Sequence, residues 1–223
     1  MVRVVKAEKG ETYDIELAED LLKANERIAL ENREQLRSHG VKAVDVMGSV
    51  GSGKTSLIEQ LVRNLKETYR IMAIAGDLGT TIDSCRIAKY GVEVLQINTG
   101  KECHLDANLV KKALKRIDLT KINLLFIENV GNLICPAEFP LGSEKRVVVI
   151  SLTEGPYMVV KHPLTFMSAD VVVINKMDLI DVLEADADKL ERDVNNVNPK
   201  AEVVRTSCKT GTGIMEVAKA LGL

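Results

Sequence analysis

The sequence predicts an α/β protein: one mostly parallel sheet with helices on both faces, plus a helix at the N-terminus. Three observations carry that expectation. From about residue 41 onward, short apolar runs alternate with stretches of helical periodicity, the order that builds a parallel sheet with crossover helices. The runs within Arg146 to Leu152 and Asp170 to Ile174 are continuously apolar, as strands buried on both faces are. A glycine-rich loop, Gly48 to Thr55, joins the first strand pattern to the first helix pattern of that alternation.

The elements follow in order. Residues 14 to 38 read as a helix with an interrupted apolar stripe, Leu17, Ala18, Leu21, Leu22, Ile28, Ala29 and Leu36, and charges on the other face. Such a helix packs against the domain or offers a partner a docking surface. Ser38-His39-Gly40 ends it, with glycine at the C-cap and His39 a solvated turn residue. Val41 to Met47 is the first strand, and Leu57, Ile58, Leu61, Val62 and Leu65 mark the helix after the glycine loop. Arg70 to Gly76 is the second strand, running into Asp77, and Arg86 sits in the helix beyond it. Val92 to Ile97 is the third, closed by Asn98-Thr99-Gly100. Lys101 to His104 then leads into a helix through about Arg116. Asn123 to Ile127 is a strand ending at Glu128. After the two apolar strands, residues 186 to 196 form a helix, Ala201 to Arg205 a last strand and Gly213 to Leu221 a last helix. A chain of 223 residues without repeat or linker suits a single domain over 1–223, with 1–40 a helical extension and 41–223 the core.

Composition excludes several partners. A net charge of −2 gives no electrostatic footprint for nucleic acid or anionic membrane. With no Trp there is little aromatic platform for base stacking. No apolar run approaches the ~18 residues that a membrane span needs, and no secretory signal pattern stands at the N-terminus, so the expected location is cytoplasmic. The four cysteines, at 85, 103, 135 and 208, form no C-x-x-C pair and read as thiols or metal ligands rather than disulfides.

Gly48-Ser49-Val50-Gly51-Ser52-Gly53-Lys54-Thr55, with Ser56 next in the helix, fits G-x-x-x-x-G-K-[ST] at every specified position. Between a strand and a helix, such a loop turns backbone N–H groups inward to cradle phosphates, and the helix N-terminus adds partial positive charge. Lys54 reaches the β- and γ-phosphates, and the Thr55 hydroxyl holds Mg²⁺. The fold expected is therefore that of a P-loop NTPase.

In an open parallel sheet, ligands sit at the carboxyl ends of strands. There stands Asn175-Lys176-Met177-Asp178, which resembles the guanine-specificity motif of GTPases. A carboxylate at position 178 accepts from the two N–H donors of guanine, and adenine would leave it unpaired. Ser207-Cys208-Lys209 resembles the S-A-K loop beside the guanine carbonyl, with Cys208 where alanine is usual. The nucleotide expected is GTP.

Asp77, Asp83 and Glu128 line the γ-phosphate end. Each is either an ordinary solvated carboxylate or part of the catalytic set. Mg²⁺ keeps several waters, so Thr55, Asp77 and Glu128 are the expected magnesium residues, some acting through water. One acid orients the attacking water, and Arg86 neutralises developing charge.

Cys103, His104 and Cys135 make a soft set suited to Zn²⁺, Ni²⁺ or Cu⁺. The same residues also suit a buried thiol and a hydrogen-bonded imidazole. Cys135 lies seven residues past Glu128, in the segment where GTPases place the switch that senses the γ-phosphate.

These stretches together resemble the HypB family of hydrogenase maturation GTPases. The likeness lies in Gly48 to Thr55, Gly76-Asp77, Asn98 to Ala107, Glu128 to Pro136 and Thr153-Glu154-Gly155, and it runs from about residue 30 to the end. It implies a GTPase that assists nickel delivery to [NiFe]-hydrogenase, working with the hydrogenase large subunit and other maturation factors. It also implies the dimer-forming class shared with urease accessory and signal-recognition GTPases. The positions matching Cys103, His104 and Cys135 would then bind nickel or zinc at a homodimer interface.

Two departures alter the expectation. Some members carry a cysteine-rich N-terminal motif or a histidine-rich tract, and this chain, with three histidines in all, has neither. High-capacity nickel storage is not expected. Many proteins of the class carry an extra lysine early in the loop, whereas residues 49, 50 and 52 here are Ser, Val and Ser. Lys161 is either its replacement in trans or a solvated lysine. Two other functions compete: a chaperone of another metal or cobalamin enzyme, and a GTP-dependent phosphotransferase on a small metabolite.

Overall fold

Seven strands pair in the order β3-β2-β4-β1-β5-β6-β7, every neighbour parallel. The structure is a computed structural model and describes residues 15–223, with side chains from residue 20. The elements along the chain are α1 (Ile15–Ser38), β1 (Lys42–Gly48), α2 (Lys54–Leu65), β2 (Ile71–Asp77), α3 (Ile82–Ala88), β3 (Glu93–Asn98), α4 (Ala107–Leu114) and β4 (Leu124–Glu128). They continue with α5 (Cys135–Glu138), β5 (Lys145–Ser151), α6 (Met158–Lys161), α7 (Pro163–Met167), β6 (Val171–Asn175), α8 (Ile180–Leu183), α9 (Ala187–Val197), β7 (Glu202–Arg205) and α10 (Ile214–Ala220). Each expected strand is present within a residue or two. The short helices α5 to α8 carry too few turns to print a period on the sequence.

Side-chain alternation divides the core between the two faces of the sheet. Leu124 and Phe126 of β4 join Leu57, Leu61 and Val217 beneath α2 and α10. Their neighbours Leu125 and Ile127 face the other way, with Leu36, Val110 and Leu114 of α1 and α4. Further along that second face, Val172 and Ile174 of β6 pack with Phe166, Leu190 and Val194 of α7 and α9. Strands β2 and β3 extend the sheet to one side of β1 and β4, while β5 to β7 extend it to the other. The loop after β1 therefore opens into the crevice at the carboxyl ends of the central strands, where α/β sheets bind ligands.

α1 packs along α4, as a helix docked on the domain. Its buried face differs from the expected stripe. Ala29 and Leu36 are buried, but so are Asn25 and Asn32, while Leu21 is 58% exposed. The four buried positions, 25, 29, 32 and 36, fall on one side of a helix. The two asparagines are buried because each has work for its amide. Asn25 donates to the Pro140 carbonyl at 2.9 Å and accepts from the Ala107 N–H at 2.8 Å. Asn32 donates to the carbonyls of Ala107 at 2.8 Å and Leu141 at 3.0 Å. The predicted start of this helix at residue 14 and the side chains of Leu17 and Ala18 lie outside the described residues. Gly40, at φ +67, closes the helix as expected. The helix foreseen after His104 begins at Ala107, where the Asp106 carboxylate caps the Leu109 N–H at 2.7 Å. That leaves Cys103 and His104 in a loop. Among the described residues, no helix is long and apolar enough to cross a membrane.

Candidate functional site

The phosphate loop leaves β1 at Gly48 and enters α2 at Lys54. Gly53 sits at φ +108, and a Cβ there would lie 2.1 Å from the Asn175 amide nitrogen, so only glycine serves. That amide explains the tight approach: Asn175 Nδ2 donates to the Ser52 carbonyl at 3.0 Å. Its Oδ1 accepts from the Thr206 hydroxyl and the Cys208 N–H, both at 3.1 Å. Asn175, expected to touch the nucleotide, thus spends its polar atoms bracing the phosphate loop against the loop after β7.

The Lys54 ammonium donates to the Ser49 carbonyl at 3.0 Å, closing the loop on itself. Burial lowers its pKa against the charges of Glu128, Asp83 and Glu154. The Thr55 hydroxyl lies 2.6 Å from Glu128 Oε1 and 3.0 Å from Asp83 Oδ1. Burial pushes the Glu128 carboxyl up to about 7, against the Thr55 hydrogen bond and the Lys54 charge. Glu128 Oε2 is buried with no hydrogen-bond partner among the described residues. An orphaned carboxylate oxygen beside a threonine hydroxyl and a second carboxylate suits a hard cation with oxygen ligands.

Asp77 does not join that group. Burial works against its ionisation, but the N–H groups of Gly79 at 2.9 Å and Thr80 at 2.6 Å hold its carboxyl below the usual range. The acids that converge on Thr55 are Asp83 and Glu128. Arg86 forks onto Glu59, with contacts of 3.1 and 2.7 Å, and donates to the Ser56 hydroxyl at 2.9 Å. Its remaining nitrogen lies 3.7 Å from Asp83. One site residue escaped sequence reasoning. Glu154, in the loop after β5, hydrogen-bonds the Ser49 hydroxyl and accepts from the Ser151 N–H at 3.2 Å. Burial raises its pKa against the charges of Lys176 and Lys54. Its only signal was the Thr153-Glu154-Gly155 stretch that entered through the family likeness.

Toward the other end, Ser207 donates to Asp178 Oδ1 at 2.6 Å, and Lys209 lies 3.9 Å from Asp178 Oδ2. Lys176 adopts a left-handed backbone (φ +65) and donates to the Thr153 hydroxyl at 2.9 Å. Cys208 is buried, and burial raises its thiol pKa to about 11. A cavity of 680 Å³ runs from Lys54, Thr55, Asp77, Asp83 and Glu128 to Lys176, Asp178 and Lys209, within the usual size range of small-molecule sites. Lys161, exposed on α6, does not line it.

Beside the phosphate end lies the soft cluster. Cys103 Sγ is 3.1 Å from Cys135 Sγ and 3.9 Å from His104 Nδ1, and the three ligand atoms all lie within 4.8 Å of one another. The His104 ring packs on Phe139 with centroids 4.0 Å apart. Burial lowers its pKa against Asp106, Glu102 and Glu138, which favours the neutral imidazole that a metal needs. The hydrogen bond with Cys103, then burial, raises the Cys135 thiol; a bound cation reverses that preference. Two further contacts set this cluster on the nucleotide site. Asn132 forms an antiparallel bridge with Gly48, and Gly131 lies so close to Val50 that a Cβ would meet its side chain at 2.6 Å. Asn132 also donates to the Cys103 carbonyl at 3.4 Å.

A parallel sheet, a phosphate loop after its central strand and a pair of guanine-type loops define a P-loop protein of the GTPase type. The sequence profile of the CobW/HypB/UreG nucleotide-binding domain matches residues 42–205. The chain belongs to that family, among its HypB members, the hydrogenase maturation factors. It is 55% identical over 203 residues to a probable hydrogenase maturation factor HypB of Methanocaldococcus jannaschii, covering 91% of this chain and 92% of the relative. The HypB structure from Archaeoglobus fulgidus superposes with a TM-score of 0.83 at 44% identity, over 90% of this chain and 98% of that one. The HypB of Helicobacter pylori, solved in complex with nickel, gives 0.84 at 34% identity, over 89% and 93%.

Proposed function

We propose that this protein is a GTP-hydrolysing metallochaperone that assists nickel insertion into a [NiFe]-hydrogenase, and that its dimerisation on GTP is coupled to metal binding. The observation that carries the reading is the seat of the Cys135 segment. It rises from Glu128, lies on Val50 and Gly48 of the phosphate loop, and reaches Cys135 within 3.1 Å of Cys103. Whatever occupies the phosphate loop presses on the segment that carries a thiol ligand.

In this reading the loop N–H groups and Lys54 bind the phosphates, and Asp178 accepts from guanine. Asp77 works through water, and one of the acids near Thr55 orients the water that attacks the γ-phosphorus. Arg86 offsets the charge that develops. Mg²⁺, held by Thr55, Asp83 and Glu128, would neutralise phosphate charge. The cargo, nickel or zinc, takes Cys103, His104 and Cys135. Three ligands leave a tetrahedral ion one short, and two chains meeting face to face complete it or bridge two ions. The partners are a second copy, the hydrogenase large subunit and other maturation factors, in the cytoplasm. The whole chain acts as one domain, with Lys161 reaching the partner's nucleotide.

The test is nucleotide selectivity, turnover and metal content of the purified protein with GDP and with a non-hydrolysable GTP analogue. Expected are GTP preferred over ATP, turnover on the order of 10⁻³ to 10⁻² s⁻¹, and more nickel or zinc retained with the analogue than with GDP. Equal binding of ATP and GTP, or no metal in either state, contradicts the reading.

A further inference from the structure

Between the two halves of the thiol and imidazole cluster runs a chain of buried and nearly buried polar groups outside the phosphate loop and outside the thiol and imidazole set. Its centre is Asn129, 1% exposed, the residue after Glu128. Asn129 Oδ1 accepts from the N–H groups of Leu105 and Val130, both at 3.0 Å. Leu105 directly follows His104, and Val130 opens the segment that leads to Cys135. Asn129 Nδ2 faces Asp45 Oδ1 at 3.5 Å. Asp45 is fully buried in β1, three residues before the phosphate loop. Its other oxygen pairs with Arg146 Nε at 3.4 Å. Arg146 Nη1 donates in turn to the Ala137 carbonyl at 3.3 Å, inside α5, the helix that Cys135 opens.

The chain therefore starts at the backbone beside His104 and ends at the backbone beyond Cys135. A buried ion pair is a weak source of stability, because desolvation of both charges offsets their attraction. Fixing geometry is the use left to it. A carboxamide that takes two backbone N–H groups on one oxygen fixes two strands of chain at once, and a guanidinium fork adds a third contact with defined direction.

We propose that Asn129, Asp45 and Arg146 are positioning residues for the metal. They set the spacing between the Cys103–His104 loop and α5, and tie both to the strand that ends in the phosphate loop. The proposal rests on reading the cluster as a metal site. Partners bonded directly to ligating side chains change metal affinity by about 10- to 100-fold when removed, and residues that act one step further out, through backbone, sit at the low end of that range.

Co²⁺ is the probe, because thiolate ligation gives a sulfur-to-cobalt charge-transfer band and the d–d bands report the coordination geometry. Co²⁺ is titrated into the full chain and into Asn129→Ala and Arg146→Lys. Lysine keeps a positive charge facing Asp45 but has no fork to reach Ala137 as well. Asn129→Ala is expected to weaken Co²⁺ binding by about 10-fold and Arg146→Lys by a smaller factor. Both should show altered d–d bands at saturation, a signature that a mere loss of stability does not produce. Should Asn129→Ala fail to fold, Arg146→Lys decides. Folded variants that take up Co²⁺ with the affinity and spectrum of the unsubstituted protein overturn the proposal. An unsubstituted protein without a charge-transfer band removes the metal reading, and this proposal with it.

Discussion

The phosphate loop is eight consecutive residues whose chemistry is mostly backbone, set between one strand and one helix and braced at single points by Asn175 and Glu154. The thiol and imidazole cluster beside it takes two residues from the loop before α4 and one from the start of α5, thirty-two positions from Cys103. The segments that carry these side chains are tied by contacts of other residues: an exposed hydrogen bond from Asn132 to the Cys103 carbonyl, and buried ones from the N–H groups of Leu105 and Val130 to Asn129. A contiguous site carries most of its geometry with it, whereas a dispersed site inherits geometry from the core. Substitutions at the first should act locally and on binding or turnover. At the second they should act through neighbours that touch no ligand.

The largest effect belongs to the contiguous site. Lys54→Ala is expected to abolish hydrolysis in a phosphate-release assay while the sheet stays folded; turnover at the original rate breaks the comparison at its root. Next comes the pH dependence of stability in the ligand-free protein. The folded-state pKa of Glu128 is raised from 4.5 to about 7, so the folded protein binds the extra proton. That contribution is fully present below pH 4.5 and is lost as pH rises through about 7. It amounts to about 3 kcal/mol, read from urea unfolding across this range, and Glu128→Gln should flatten the curve by that amount. Asp178→Asn should cost GTP about 2 kcal/mol of binding, roughly thirtyfold, and erase the preference over ATP in a fluorescence titration. The smallest effect lies outside both sites. Asn32→Ala removes the side-chain donor to the buried Ala107 and Leu141 carbonyls and should destabilise the fold by about 1–2 kcal/mol, with nucleotide affinity unchanged.

The same contrast explains what was legible in the sequence. The strands announced themselves because their apolar runs are continuous, and the phosphate loop because its pattern is local. The family likeness rested on equally local stretches and agrees with the relatives found. α1 was legible as a helix, but not its buried face, since Asn25 and Asn32 read as polar until the carbonyls they meet are known. Glu154 was hidden for a related reason: a glutamate three residues beyond a strand is ordinary until the fold sets it against Ser49. Asp77 and Asp83 lie six residues apart on one loop and helix start, and only the turn at Gly79 and Thr80 separates the acid that closes on its own backbone from the one that meets Thr55. Cys103, His104 and Cys135 were visible as residue types suited to a soft metal. Their convergence was legible only through the family likeness, and the structure agrees with it: the three ligand atoms lie within 4.8 Å of one another.

The central claim is that the contiguous site controls the dispersed one. Linkage then requires metal to tighten the dimer by the factor by which dimerisation tightens the metal. Sedimentation velocity with GDP or a non-hydrolysable GTP analogue, each with and without Ni²⁺ or Zn²⁺, tests it directly. A dimer is expected with the analogue, tightened further by metal, and Cys135→Ala should lose the metal-driven part while its GTP affinity is unchanged. A monomer under all four conditions, or full metal binding by Cys135→Ala, would contradict it.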